Sequence, residues 1–389
     1  MLSFIVFSML LNSMSVIILQ LSQNQQHSYT GLGMLEFFKD IPIALVSIFM
    51  VDYIKKRSYY SSLSIALIIC TLCSFTIPFV SEFWFLKIWF ILIGISFSIG
   101  KICVFSIIKN ISDNEKDFSK TMSRTEAAFM LGVFIVNIEF AIILNSDYKD
   151  YWKFGFWLVG IISSWAAFQF YRIDQQNVFE IDKSQGKEVI DFRILFDYKS
   201  ILFFTIVVII VFTEQIFNSW LPTFYKHTLK ADSFFALQSS ALLALFSFIG
   251  RLLASKAVVK FSPMKIFFFC LISGIILTSS AYIIGQDTDV KVKILMLLFP
   301  MVGIFTAPLY PMLNSKYLSK FSERRVGKIV SIIILFTSLG GSIGSMSTAY
   351  IFQKNLGNYY LLFATIPLIL ILIFSTFFSI KEKISEYIK

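Results

Sequence analysis

Apolar runs of about twenty residues recur along the whole of this 389-residue chain, separated mostly by short polar connections. A helix needs ~20 residues to cross about 30 Å of hydrocarbon, so runs of this length predict membrane-spanning helices. Composition agrees, because 57% of the residues are apolar and only 15% are charged. The sequence therefore predicts an all-α membrane protein with twelve spans: 2–22, 32–54, 59–80, 85–109, 119–145, 153–172, 200–226, 233–258, 264–284, 292–318, 325–352 and 358–380.

Lysines and arginines are distributed unevenly between the two sides of the predicted membrane. If the N-terminus is cytoplasmic, the loops on that side and the C-terminal tail hold most of the 34 basic residues. Cytoplasmic loops are the ones enriched in Lys and Arg, so we expect both termini inside and a multi-pass protein of the inner (plasma) membrane. The basic clusters are short and lie between spans, so the net charge of +10 does not indicate nucleic-acid binding.

One long polar connection, residues 173–199, divides six spans from six. This division predicts two six-helix bundles, 1–172 and 200–389, joined by a cytoplasmic linker. Transporters built from two related halves have this layout, with the substrate site between the halves. We expect such a protein to act as a monomer in the lipid bilayer, with a small-molecule substrate as its main partner.

The loop after the second span, DYIKKR, resembles the signature Gly-x-Leu-x-Asp-Arg-x-Gly-Arg-Lys of the Major Facilitator Superfamily. Asp52 matches the aspartate of that signature, and Lys56 and Arg57 match its closing basic pair. In the second half, residues 249–265 and the stretch GIFTAPLYPMLNSKYL are similar to the fucose:proton symporter branch. The resemblance implies twelve helices in two bundles and secondary active transport by alternating access, with no catalytic activity and no cofactor.

The same loop predicts a conformational latch formed by Asp52, Lys56 and Arg57. A carboxylate one turn before a basic pair can accept hydrogen bonds from helix N-termini and arginines of the opposing half. The alternative is an ordinary basic anchor of the cytoplasmic loop, for which Asp52 would not be needed.

Charges deep in predicted spans are the strongest indication of a functional site, because each costs from about 2.5 to above 10 kcal/mol in a bilayer. Lys101 lies in ISFSIGKICVFSII, and Glu126 lies at a similar height on the next span. These two residues are predicted to pair, either to bind substrate and proton or only to neutralise each other within the first bundle.

Glu214 lies near the middle of the seventh span, with Gln215 beside it and Asn218 one turn further on. The family resemblance implies that spans one and seven line the cavity. Glu214 is therefore the first candidate for the proton-carrying acid, ahead of Glu126 and Asp40, and the alternative is a structural acid. Gln215 and Asn218 are candidate substrate ligands. Arg251, in span eight, is another, unless it only faces lipid headgroups.

The second span begins with LEFFKD, in which Glu36, Lys39 and Asp40 share one helical face at spacings i, i+3 and i+4. One interpretation is an outer vestibule in which Lys39 meets the substrate and Asp40 balances or exchanges it. The other is that all three side chains extend to the membrane interface.

No Walker A pattern occurs in the sequence, so an ion gradient is the expected energy source. The two histidines predict no metal site.

The candidate cations favour proton-coupled uptake of a small anionic solute such as a carboxylate, a sugar acid or a citrate-type siderophore. A neutral sugar:proton symporter is the main alternative. Efflux is disfavoured because span five lacks the Gly-Pro motif typical of drug:proton antiporters, and a non-transporting membrane receptor is the alternative of another class.

Overall fold

The computed structural model describes residues 1–23, 28–50, 53–54, 57–80, 82–112, 115–176, 197–285, 295, 298–318, 321 and 323–387. Within these ranges the chain is largely helical and contains no strand. The α-helices, numbered in chain order, are α1 Leu2–Asn12, α2 Met14–Gln23, α3 Tyr29–Gly33, α4 Leu35–Phe49, α5 Tyr59–Thr76, α6 Phe83–Ile111, α7 Glu115–Leu144, α8 Phe156–Gln176, α9 Tyr198–Thr223, α10 Ser233–Ala257, α11 Pro263–Gly285, α12 Val302–Thr306, α13 Leu309–Leu318, α14 Glu323–Gln353 and α15 Tyr360–Tyr387.

Ten helical segments of the described ranges are long and apolar enough to span a bilayer, and they coincide with ten of the predicted spans. The other two spans are represented by shorter helices. In span 32–54, α4 ends at Phe49, and part of the following stretch lies outside the described ranges. In span 292–318, α12 and α13 are separated at Pro308, because proline has no N–H with which to continue a helix. Twelve spans and cytoplasmic termini stay predictions.

Within the second half, α14 packs closely on α9 through small residues. A Cβ added at Gly340 would collide with the backbone of Val208, and one added at Gly344 would lie 2.7 Å from the Phe212 carbonyl oxygen. These glycines are one turn apart, so they give α14 a flat strip against α9. Helices in a bilayer gain packing energy by such close approach of their backbones.

Two of the contact regions between the first and second halves bear on the site. In the first, α4 packs against α14 and hydrogen-bonds to α9, and we call it the α4 seam. In the second, α7 packs against α10, and we call it the α7 seam. Between the seams lies a space whose lining includes six of the charged residues singled out from the sequence: Lys39, Asp40, Lys101, Glu126, Glu214 and Arg251.

Candidate functional site

A cavity of about 150 Å³ lies between the two halves. Its lining comes from α1, α4, α6 and α7 of the first half and from α9, α10, α13 and α14 of the second half. The residues are Phe4, Leu11, Asn12, Lys39, Asp40, Ile43, Phe97, Lys101, Glu126, Phe129, Met130, Val211, Glu214, Gln215, Asn218, Arg251, Tyr310, Ile334, Thr337, Ser338 and Gly341. A water occupies roughly 30 Å³ in the liquid, so the cavity has room for about five waters or a small solute of similar size.

The three charged residues of LEFFKD are buried rather than extended to the interface. Glu36 is 0% exposed, Lys39 is 7% exposed and Asp40 is 6% exposed. The Lys39 ammonium forms an ion pair with Glu36, and it lies 3.8 Å from Asp40 Oδ1. The intrahelical pairing predicted from the i, i+3 spacing is therefore present, and extension of all three side chains to the interface does not occur in this conformation.

This cluster also joins α4 to the other half of the protein. Ser219 Oγ donates to Glu36 Oε1 at 2.9 Å, and Gln215 Nε2 donates to the same oxygen at 2.5 Å. Ser342 Oγ donates to Asp40 Oδ2 at 2.9 Å. The charges at the start of the second span thus belong to the α4 seam. There, the Glu36 and Asp40 carboxylates of the first half accept hydrogen bonds from side chains of the second half.

Arg251 forms a second charged cluster at the α7 seam. Its Nη1 lies 3.3 Å from Glu126 Oε2 and donates to the Glu126 backbone oxygen at 2.9 Å. Its Nη2 lies 3.5 Å from Glu214 Oε1, and its Nε donates to the Ala307 carbonyl at 3.1 Å. With its side chain only 2% exposed, Arg251 does not face lipid headgroups. It links an acid of the first half to an acid of the second.

The predicted pair of Lys101 with Glu126 is wrong for this conformation. Glu126 is paired with Arg251, which approaches from α10 across the α7 seam. Lys101 Nζ instead donates to the Tyr310 hydroxyl at 3.5 Å, and in the described part of the chain it has no carboxylate within 4 Å. Sequence spacing places both residues at one height but does not specify their directions around their helices, and the second half supplies a competing cation.

The other residues predicted from the sequence lie either in the cavity or in the loop after the second span. Gln215 and Asn218 line the cavity. Of the predicted latch, Asp52 and Lys56 lie outside the described residues, and Arg57 Nη1 donates to the Tyr53 hydroxyl at 3.4 Å. The structure therefore leaves the latch as a prediction.

The sequence analysis did not find Ser219, Ser342 or Tyr310, and it also did not find the polar lining residues Asn12, Thr337 and Ser338. Serines and tyrosines are common in membrane helices, so their identity alone gives no signal. The sequence does contain a signal for the aromatic surroundings of the Lys101 ammonium, because Phe97 and Phe105 lie one turn before and one turn after Lys101. A cation between two aromatic residues at i−4 and i+4 indicates an aromatic environment for the ammonium.

Three cations and three acids line the cavity, and Glu36 adds a fourth acid outside the lining through its pair with Lys39. The cations are Lys39, Lys101 and Arg251, and the acids are Asp40, Glu126 and Glu214. No group of three or more His, Cys, Asp or Glu side chains with metal-ligand geometry occurs among the described residues. The arrangement permits exchange of ion-pair partners, because Lys39 and Arg251 each lie within 4 Å of two carboxylates.

The sequence model of the Major Facilitator Superfamily matches residues 1–345, and no curated protein matches the sequence. Among solved structures, a D-xylose–proton symporter has a TM-score of 0.74 at 17% identity, with 96% of this chain and 95% of that chain covered. The E. coli fucose:proton symporter has a TM-score of 0.68 at 15% identity, with 97% of both chains covered. The human organic anion transporter TETRAN has a TM-score of 0.69 at 13% identity, with 96% of both chains covered. This chain belongs to the Major Facilitator Superfamily of membrane transporters.

Proposed function

We propose that this transporter takes up a small anionic organic solute together with a proton, across the inner (plasma) membrane and by alternating access. The observation that carries the proposal is the Glu126–Arg251–Glu214 cluster, in which one buried guanidinium lies between acids of the two halves. A substrate carboxylate that binds Arg251 has to replace one of these acids. A proton taken up by the displaced acid removes its need for a cation.

The charge balance of the cavity supports loading with an anion and a proton together. Three cations and three acids line it, and Glu36, which pairs with Lys39, is a fourth acid outside the lining. An anion that enters alone therefore adds to an excess of negative charge in a low-dielectric space, which costs several kcal/mol. A proton that enters with the anion offsets the added charge. Coupled loading is therefore the less costly route.

Glu214 is our candidate for the proton-carrying acid. Its side chain is 20% exposed, compared with 8% for Glu126, so protons from the cavity reach it more easily. It also makes the longer of the two contacts with Arg251, at 3.5 Å against 3.3 Å. Release of Glu214 from Arg251 would leave the guanidinium held by Glu126 and available to a solute.

The structural relatives support both parts of the proposal without deciding between substrates. Two of those proteins are proton symporters for fucose and xylose, and one is an organic anion transporter. A neutral sugar:proton symporter is the second candidate. It is favoured by the uncharged hydrogen-bonding groups of the cavity, which are Asn12, Gln215, Asn218, Tyr310, Thr337 and Ser338.

Uptake into proteoliposomes with and without an imposed pH gradient, acidic outside, tests the proposal. The labelled solutes are glucuronate, citrate and lactate, with neutral glucose as the comparison. We expect gradient-driven accumulation of a carboxylate by the wild type. Glu214→Gln imitates the protonated acid, so it should abolish accumulation but retain exchange of solute across the membrane.

Glu139→Gln is the matched control, because Glu139 is an acid on α7 that is absent from the described lining of the cavity. It should accumulate solute as the wild type does. Accumulation of glucose in preference to all three carboxylates would favour the second candidate. Wild-type accumulation by Glu214→Gln would reject Glu214 as the proton carrier.

A further inference from the structure

Lys101 differs from the other cations of the cavity in what surrounds its ammonium. Lys39 and Arg251 are each within 4 Å of two carboxylates. The Lys101 ammonium lies over three aromatic rings, at 5.6 Å from the centre of Phe97, 5.7 Å from Phe105 and 5.4 Å from Tyr310. We call these three rings the aromatic cage.

The cage positions the ammonium but compensates its charge incompletely. A cation–π contact is weaker than an ion pair, and the 3.5 Å bond to the Tyr310 hydroxyl is long for a hydrogen bond. The side chain is nevertheless buried, with the residue 8% exposed. A buried cation held in this way retains a strong attraction for an anion that enters the cavity.

Other aromatic side chains hold two rings of the cage, those of Phe97 and Phe105, in place. The ring of Phe4 lies 6.5 Å from that of Phe97 and 5.8 Å from that of Phe105. Phe129 lies 6.0 Å from Phe97 and 6.2 Å from Phe4. Rings packed in this way lose little freedom on binding, so the ammonium is presented in a fixed position.

Tyr310 adds a second hydrogen-bonding group to the same place. Its hydroxyl accepts from Lys101, which is its only hydrogen-bond partner within the described residues. A phenol that accepts a hydrogen bond still has its own proton to donate. Lys101 belongs to α6 and Tyr310 to α13, so a carboxylate bound by both would join the two halves.

We propose that Lys101 and Tyr310 together form a carboxylate subsite, in which one oxygen of the solute accepts from the ammonium and the other accepts from the phenol. The inference rests on the proposed anionic substrate and adds Tyr310 as the residue that sets the preference for carboxylates over neutral solutes. Lys101 and Tyr310 are then a second contact for the solute in the same cavity, in addition to Arg251 of the coupling cluster.

The test uses Tyr310→Phe and Tyr310→Leu in the full chain, reconstituted in proteoliposomes. The probe is the carboxylate that the wild type accumulates best among glucuronate, citrate and lactate, compared with glucose. Tyr310→Phe retains the ring and loses the donor, so the KM for the carboxylate should rise about tenfold with little change in maximal rate. Tyr310→Leu also opens the cage and should raise KM further. The preference for carboxylate over glucose should fall in both variants.

Tyr317→Phe is the matched control on the same helix. The Tyr317 hydroxyl hydrogen-bonds to Ser200 at 2.8 Å, and its ring stacks on Phe203 at 3.7 Å, away from the described lining of the cavity. The KM of this control should stay at the wild-type value.

The outcomes separate this inference from the proposed function. If carboxylate uptake is coupled to the pH gradient but Tyr310→Phe and Tyr310→Leu keep the wild-type KM and preference, the subsite is rejected and the proposed function stands. If the wild type accumulates none of the three carboxylates, the proposed function fails, and the subsite fails with it. A fall in maximal rate with unchanged KM would assign Tyr310 a structural role and also reject the subsite.

Discussion

Removal of Arg251 tests the charged cluster of the α7 seam directly. The guanidinium lies 3.3 Å from a Glu126 oxygen and 3.5 Å from a Glu214 oxygen. With an effective dielectric constant of about 20, Coulomb's law gives roughly 5 kcal/mol of attraction for each pair. Arg251→Met leaves two buried carboxylates without this cation, so the free energy of unfolding should fall by about 3–5 kcal/mol, the usual cost of breaking a buried pair.

Thermal unfolding of the detergent-purified chain measures this loss as a lower Tm. The loss should shrink at low pH, because a protonated carboxyl group needs no cation. In the double variant Arg251→Met with Glu126→Met, the apolar pair replaces most of the broken cluster, so part of the stability should return.

Arg172→Met is the control, since Arg172 is an exposed arginine whose guanidinium lies over the ring of Phe168 on α8. Its Tm should stay within a degree or so of the wild-type value, as expected for a surface substitution. The reasoning is refuted if Arg251→Met unfolds at the same temperature as this control. It is also refuted if the double variant is no more stable than Arg251→Met alone.

Three further predictions concern topology, the latch and the α4 seam. A cysteine introduced at Lys187 should be protected from a membrane-impermeant label added outside intact cells, and one at Ser28 should react; the reverse pattern would overturn the predicted orientation. Asp52→Asn should slow solute exchange in proteoliposomes without reducing the amount of folded protein, whereas an unchanged rate would leave DYIKKR as a topology anchor. Gly341→Ala should lower the transport rate, because the added Cβ would lie 2.9 Å from the Asp40 carboxylate and displace it from its position in the seam.

Gly274→Ala is the matched control for the last of these. A Cβ at Gly274 meets no atom closer than 3.7 Å, so transport should continue at the wild-type rate. Equal transport rates for the two glycine variants would contradict the assigned role of Gly341 in the α4 seam.

The family and the helical class were predictable from the sequence because each depends on features that are local along the chain. The length of an apolar run decides whether a helix can cross a bilayer, whatever its neighbours are. The DYIKKR loop and the second-half motifs are short stretches, and the family they indicated was confirmed. The pairing of Glu36 with Lys39 was local too, since residues at i and i+3 on one helix are neighbours in any fold.

The residues that share the cavity could be named from the sequence, because a charge inside a span needs a polar environment and the space between the halves provides one. Lys39, Asp40, Lys101, Glu126, Glu214, Gln215, Asn218 and Arg251 all line it. Their partners could not be named. Which acid pairs with which cation depends on the rotation of each helix about its axis and on the distance between helices that are not neighbours in sequence, such as those of Glu126 and Arg251, which are 125 residues apart.

The sequence by itself determined that the chain is a helical membrane protein of the Major Facilitator Superfamily with charges at membrane depth. Only the tertiary structure assigned Glu126 to Arg251 rather than to Lys101, and joined the charged start of α4 to Ser219 and Ser342. The physical reason is that an uncompensated charge in a bilayer is costly, but this cost does not specify which partner will offset it. That choice is made by the packing of the two halves against each other.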